Sequence, residues 1–235
     1  MKDSQAYYNS IANVYDQQSK RRIDYLNAVD TIVITECKNK GYKSYLDIGA
    51  GNGRRSLKIA KELRITDTTL IDNSIKMLHD LSSFEDVIAL DVSIFDFDTA
   101  KKFDLITCLW NVVGHFPSQE LMKRFFIKIS SLLSVEGMFI FDVNNRYNIS
   151  HYGTNSVMKN LQRDHNNDDN SGWFMLGDDI NKTKVYIHSP FDLEGYILDT
   201  NLKQEAVYYL DYESGILKDT FFEGQLLYKI KCNLV

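Results

Sequence analysis

The sequence is poor in the residues that mark several protein classes. It has only two prolines in 235 residues and no stretch dense in proline, glycine or serine, so nothing reads as a linker, and no internal repeat appears. Its three cysteines, Cys37, Cys108 and Cys232, are far apart and form no Cys-x-x-Cys pair. That excludes a disulfide framework and a cysteine zinc site, and no metal is expected. No window approaches 18 uninterrupted apolar residues, so no membrane-spanning helix is expected. Basic residues are also in deficit, 27 against 32 acidic, for a net charge of −5. A chain that binds nucleic acid usually shows a basic surface, so nucleic acid is not an expected partner. The start, MKDSQAYYNS, lacks the basic residues and apolar run of a signal peptide, and a reduced, cytoplasmic protein is expected.

What remains is an ordinary globular composition, 44% hydrophobic and 25% charged, long enough for one domain with a sizeable core. Apolar residues between Ile11 and Cys37 recur at helical spacing, with Gly41 as a C-terminal cap. Short strands are then expected at 44–48, 68–71, 87–90, 103–109 and 138–143. Helices alternate with them: one carrying Leu57, Ala60 and Leu63, one from the Asp72-Asn73-Ser74 cluster through Leu81, and one carrying Leu121, Phe125, Ile129 and Leu132 that stops at Glu136-Gly137. Alternation of this kind, with strand runs as apolar as FDLITCL, predicts a doubly wound α/β fold on a parallel sheet covered on both faces.

Past Val143 the rhythm breaks. Residues 151–172 are polar, and 164–169 read as a mobile loop. A hairpin is expected from 173–176 and 184–188, and late strands near 206–210 and 226–231 complete a seven-stranded sheet. The chain reads as a single domain: a helical cap (1–40), a core (41–149), an inserted lid (150–190) and the end of the sheet (191–235).

The densest chemical signal is Asp47-Ile48-Gly49-Ala50-Gly51-Asn52-Gly53, between a strand and a helix. Glycines there permit positive φ and close backbone approach to a ligand, next to the free N–H groups of a helix start. The spacing is not the dinucleotide pattern, because Arg54 stands where the third glycine would be. Nor does a Gly-Lys-Ser/Thr close it as a nucleotide-triphosphate loop.

The form D-x-G-x-G-x-G resembles motif I of class I S-adenosylmethionine (SAM)-dependent methyltransferases, and the resemblance covers about residues 41–145. It implies a Rossmann-like fold, SAM as cofactor and S-adenosylhomocysteine as product. It also implies a cofactor site of Asp47, Gly49, Ala50, Gly51 and Gly53 in the loop, with Asp72 and Asn73 at the ribose, Met77 or Ile75 against the adenine, Asp91 and Val92 at its edge, and Leu109 with Trp110 near the methionine portion. A carboxylate suits the ribose position because it accepts two hydroxyl hydrogens at once.

The stretch Cys108–Pro117 and the run Asn144-Asn145-Arg146-Tyr147-Asn148 are similar to segments of glycine N-methyltransferases. The implied acceptor is a small molecule methylated most readily at nitrogen, then oxygen or carbon, and contacted by Tyr8, Asn111, His115, Asn144 and Arg146. His115 and Tyr15 are the candidate catalytic residues. His115 is poised to act as a base or only to position the acceptor, and Arg146 either grips a substrate carboxylate or pairs with a structural acid such as Asp142. Residues 1–25 and 150–190 are both expected to close over the site. An inactive SAM-binding partner subunit is the alternative, and homodimerisation is left open.

Overall fold

The computed structural model describes residues 2–78, 87–178 and 181–233. Two helices, α1 (Ser4–Lys20) and α2 (Ile23–Cys37), precede the sheet, so the expected single helical stretch breaks at Arg21-Arg22. In α2, Leu26, Val29, Val33 and Cys37 recur three or four residues apart and are buried. The helix ends at Cys37 with Lys38 as its cap, so Gly41 is not the C-cap, although Asn39 and Gly41 both take left-handed φ in the turn that follows.

The doubly wound core follows: β1 (Ser44–Ile48), α3 (Arg54–Leu63), β2 (Asp67–Asp72), β3 (Val87–Asp91), β4 (Phe103–Cys108), α4 (Gln119–Leu132) and β5 (Leu133–Val143). Residues 75–78 form a turn, and the rest of the helix expected through Leu81 lies outside the described residues. Glu136-Gly137 does not stop α4. The helix ends at Leu132 and β5 begins at once, with Gly137 inside it where the pairing with β4 shifts register. A Cβ on Gly137 would lie 2.9 Å from the Phe103 carbonyl, which explains the glycine without a turn.

The remainder is α5 (Ile149–Tyr152), α6 (Thr154–His165), the hairpin β6 (Trp173–Gly177) and β7 (Lys182–Tyr186), α7 (Pro190–Leu198), β8 (Leu202–Leu210), β9 (Leu217–Lys218) and β10 (Gln225–Cys232). Asp164 is therefore helical, not part of a loop. The main sheet has eight strands in the order β3-β2-β1-β4-β5-β10-β8-β9; β9 is the strand not foreseen. β3 to β5 run parallel, and β10 enters antiparallel to β5 and β8. The strand order reverses direction at β1 and β4, and the crevice outside the carboxyl ends of strands at such a switch point is where open α/β sheets bind ligands.

Candidate active site

At the head of β1, Gly49, Gly51 and Gly53 all take left-handed φ, at 72°, 57° and 69°. The turn is thereby closed to larger residues: a Cβ on Gly49 would meet Val112 at 2.6 Å, and one on Gly51 would stand 3.3 Å from Met77. Beneath the loop Asp47 is buried and accepts hydrogen bonds from Ser56 Oγ and Thr107 Oγ1. Burial raises its pKa to about 6, with those hydroxyls opposing the shift. Asp47 thus pins the loop to α3 and β4.

Across the loop, at the end of β2, Asp72 spreads its carboxylate between two backbone donors, Gly51 N at 2.9 Å and Ser74 N at 2.8 Å. Burial raises its pKa, and the two backbone bonds work against that. A carboxylate has about four lone-pair sites, so two remain for a diol.

The third wall comes from the loop after β4. Trp110 and Asn111 both take left-handed φ, at 65° and 60°, costly for side chains of this size. Buried Asp142 on β5 holds the turn, accepting from Trp110 N with one oxygen and from the Tyr25 hydroxyl with the other, while its carbonyl accepts from Asn111 N. Asn111 Oδ1 in turn accepts from Asn144 N.

These walls enclose a cleft of about 710 Å³, closed on its outer side by α1. Tyr8, Tyr15, Gly49, Gly51, Asp72, Asn73, Met77, Val92, Leu109 and His115 all line it, as the sequence leads one to expect. Met77, not Ile75, faces inward; Ile75 is 62% exposed. Asp47 and Ala50 border an adjoining cavity that shares Tyr15, Gly49, Leu109 and Trp110 with the first. Trp110, Val112, Ser93 and Phe116 complete the main cleft. Only the fold could add Val112 and Phe116, because their position depends on the left-handed turn before them.

Five expected site residues do not line either cavity. Gly53 serves the turn, Asp91 is exposed beside Val92, and Asn111 and Asn144 are bonded to each other. Arg146 is the clearest correction. Its guanidinium is buried and committed, with Nε on Asp164 at 2.8 Å and both terminal nitrogens on Asp192. Neither acid is Asp142. No part of the fork is left for a substrate carboxylate.

His115 Nε2 lies 2.8 Å from the Tyr8 hydroxyl, and its Nδ1 is enclosed without a partner. Burial lowers the His115 pKa to about 4, so the ring is neutral near pH 7.

Residues 46–139 match the family model described as a methyltransferase domain. A protein of Geobacillus sp. (strain WCH70), named for an inferred methyltransferase activity, is 22% identical over 148 residues, covering 61% of this chain and 60% of that protein. The match thus spans about three fifths of that relative's length. A SAM-dependent methyltransferase structure from Clostridium acetobutylicum ATCC 824 matches with a TM-score of 0.68 at 20% identity, over 96% of this chain and 98% of that one. The N-methyltransferase NodS from Bradyrhizobium japonicum WM9, solved with S-adenosyl-L-homocysteine, matches at 0.54 and 14% identity, over 81% and 78%. Residues 46–139 thus carry the sequence pattern of a methyltransferase domain, and the chain has the fold of these SAM-dependent methyltransferase structures.

Proposed function

We propose that the protein transfers the methyl group of SAM to a small-molecule acceptor, with nitrogen the preferred atom. The observation that carries this reading is Asp72, a partly buried carboxylate facing the glycine loop in a cleft with no other charged lining group among the described residues. That arrangement suits a ribose diol. Met77 and Val92 would flank the adenine, while Gly49, Leu109 and Trp110 would lead the methionine portion toward the adjoining cavity, where Lys20 and Arg54 offer positive charge. The cradle fits the group, since side chains at Gly49 or Gly51 would fill it.

When bound, SAM supplies an electrophilic methyl: the acceptor lone pair forms the new bond as the carbon–sulfur bond breaks, its electron pair staying on sulfur. The residues of the chain contribute orientation and exclusion of water. Tyr15 covers Gly51 from α1 and leans on Trp110, ring centroids 5.3 Å apart and planes tilted by 53°. With His115 Nε2 paired to the Tyr8 hydroxyl, the neutral imidazole fixes that ring on the cleft wall. The preference for nitrogen rests on this uncharged part of the wall, which supplies no base to ionise a hydroxyl acceptor, and NodS is named as an N-methyltransferase. The test is incubation with radiolabelled SAM and a metabolite extract. Label transfer to a small amine supports the reading; tight SAM binding with no transfer would leave a binding subunit instead.

A further inference from the structure

The acceptor end of the cleft is built of rings. Tyr8 meets His115 edge-on at 5.1 Å and Tyr15 at 6.2 Å, and Tyr15 meets Trp110 at 5.3 Å. Phe116 closes the far side. Asp72 is the one charged side chain on the cleft wall among the described residues, and its oxygens face the glycine loop. Among the described residues no lysine or arginine lines the cleft. Arg146, the cation that the sequence offers for an acid-bearing acceptor, is consumed by Asp164 and Asp192. Lys20, Arg54 and Arg55 border the adjoining cavity, and Arg55 is paired with buried Asp30.

We infer that the acceptor is an amine with no carboxylate or other anion beside its reacting nitrogen, held in the ring box of Tyr8, Tyr15, Trp110 and His115. The inference deepens the methyl-transfer reading and rests on it.

Two arguments lead there. An anion brought into this box would lose its hydration and find no cation, a cost that buried carboxylates in proteins avoid only by pairing. Ring faces do the reverse for positive charge: each aromatic face attracts a cation by about 0.5–2 kcal/mol. An ammonium in the box is therefore favoured where a carboxylate is penalised, and it gives up its proton to water before its nitrogen presents the lone pair for transfer. Amino acids, in which the anion sits one carbon from the nitrogen, are the acceptors most strongly excluded.

Calorimetric titration of the full chain saturated with S-adenosylhomocysteine tests this with three matched pairs: butylamine and norvaline, benzylamine and phenylglycine, phenethylamine and phenylalanine. The members of each pair differ by one carboxylate. At least one amine should bind, and every amine that binds should do so about tenfold or more tightly than its amino acid. An amino acid that equals or beats its amine overturns the inference, as does the failure of all three amines to bind. Tyr15→Leu should weaken the amine about two- to thirtyfold while Tyr15→Phe, which keeps the ring, should restore it. Equal weakening in both would mean the ring face is not the binding element. Failure of the wild-type chain to bind S-adenosylhomocysteine would remove the methyltransferase reading itself, a separate result from amine discrimination in a chain that binds it.

Discussion

Two segments flank the cleft, α1 and the insertion running from α6 through β7, and they are held in different ways. Among the described residues none of α1 belongs to the hydrophobic core clusters, and only Tyr7 and Ile11 are fully buried along it. It is tied down by polar threads: Gln5 to the Asn73 carbonyl, Asn9 to Ser74, Tyr8 to His115, and Lys2 to Asn181 and the Lys182 carbonyl. The insertion is anchored by a buried knot. Arg146 grips Asp164 at the end of α6 and Asp192 at the start of α7, while Tyr147 and Ser171 also donate to Asp164. Tyr186 and Leu193 extend the main core beneath it. These single hydrogen bonds, mostly half-buried, are individually weak and break without stranding a buried charge, whereas the buried Arg146 cannot leave its two acids so cheaply. The comparison teaches that similar polarity in a sequence does not mean similar mobility. From these anchorages we expect α1 to open and close and the insertion to stay in place as a wall.

The largest expected effect follows from that knot. Arg146→Ala removes a buried guanidinium, strands two half-buried carboxylates and should cost up to about 3–5 kcal/mol in chemical denaturation. Wild-type stability in that variant would mean that the insertion is held by something else. Asp72→Ala comes next: it removes the proposed ribose acceptor and the anchor of Ser74, to which α1 is bonded. Binding of S-adenosylhomocysteine should weaken by about 1.5–3 kcal/mol, or roughly 10- to 150-fold, measured by calorimetry.

Acid loads the insertion too. His188, just beyond β7, is fully buried between Tyr186 and Tyr196, with both ring nitrogens unpartnered. Burial lowers its pKa to about 4. Below about pH 6.5 the unfolded chain takes up a proton there and the folded chain does not. This contribution to stability is thus full above pH 6.5 and is lost as the pH falls through 4. His188→Leu should gain about 2 kcal/mol relative to wild type between pH 7 and pH 5 in parallel denaturation curves. An unchanged difference would place a charged imidazole in the folded protein. The smallest effect is expected at α1, where Tyr8→Phe removes one hydrogen bond. It should cost about 0.5–1.5 kcal/mol locally, seen as faster amide exchange in 4–20 with none in 154–165.

The sheet, the glycine loop and Asp72 were legible in the sequence because each is a local pattern: a buried strand run, a spacing of glycines, an acid at a strand end. Strand β9 was not, since two residues carry no periodicity, and the β5 boundary was misplaced because Gly137 serves a register shift that looks like a turn in one dimension. The partners of Arg146 were unreadable for a different reason. Asp164 and Asp192 lie 18 and 46 residues away, and nothing local marks them. The aromatic residues of the box could be named but not assembled, because Trp110 reaches its place through a left-handed turn set by Asp142.

The distinction between a closing helix and a fixed wall is tested most directly by amide hydrogen exchange across the chain, with and without saturating S-adenosylhomocysteine. Exchange should slow in residues 4–20 and 47–53 on binding and stay unchanged in 154–165 and 173–177. Slowing in the insertion with α1 unaffected, or the same slowing in both, would contradict it.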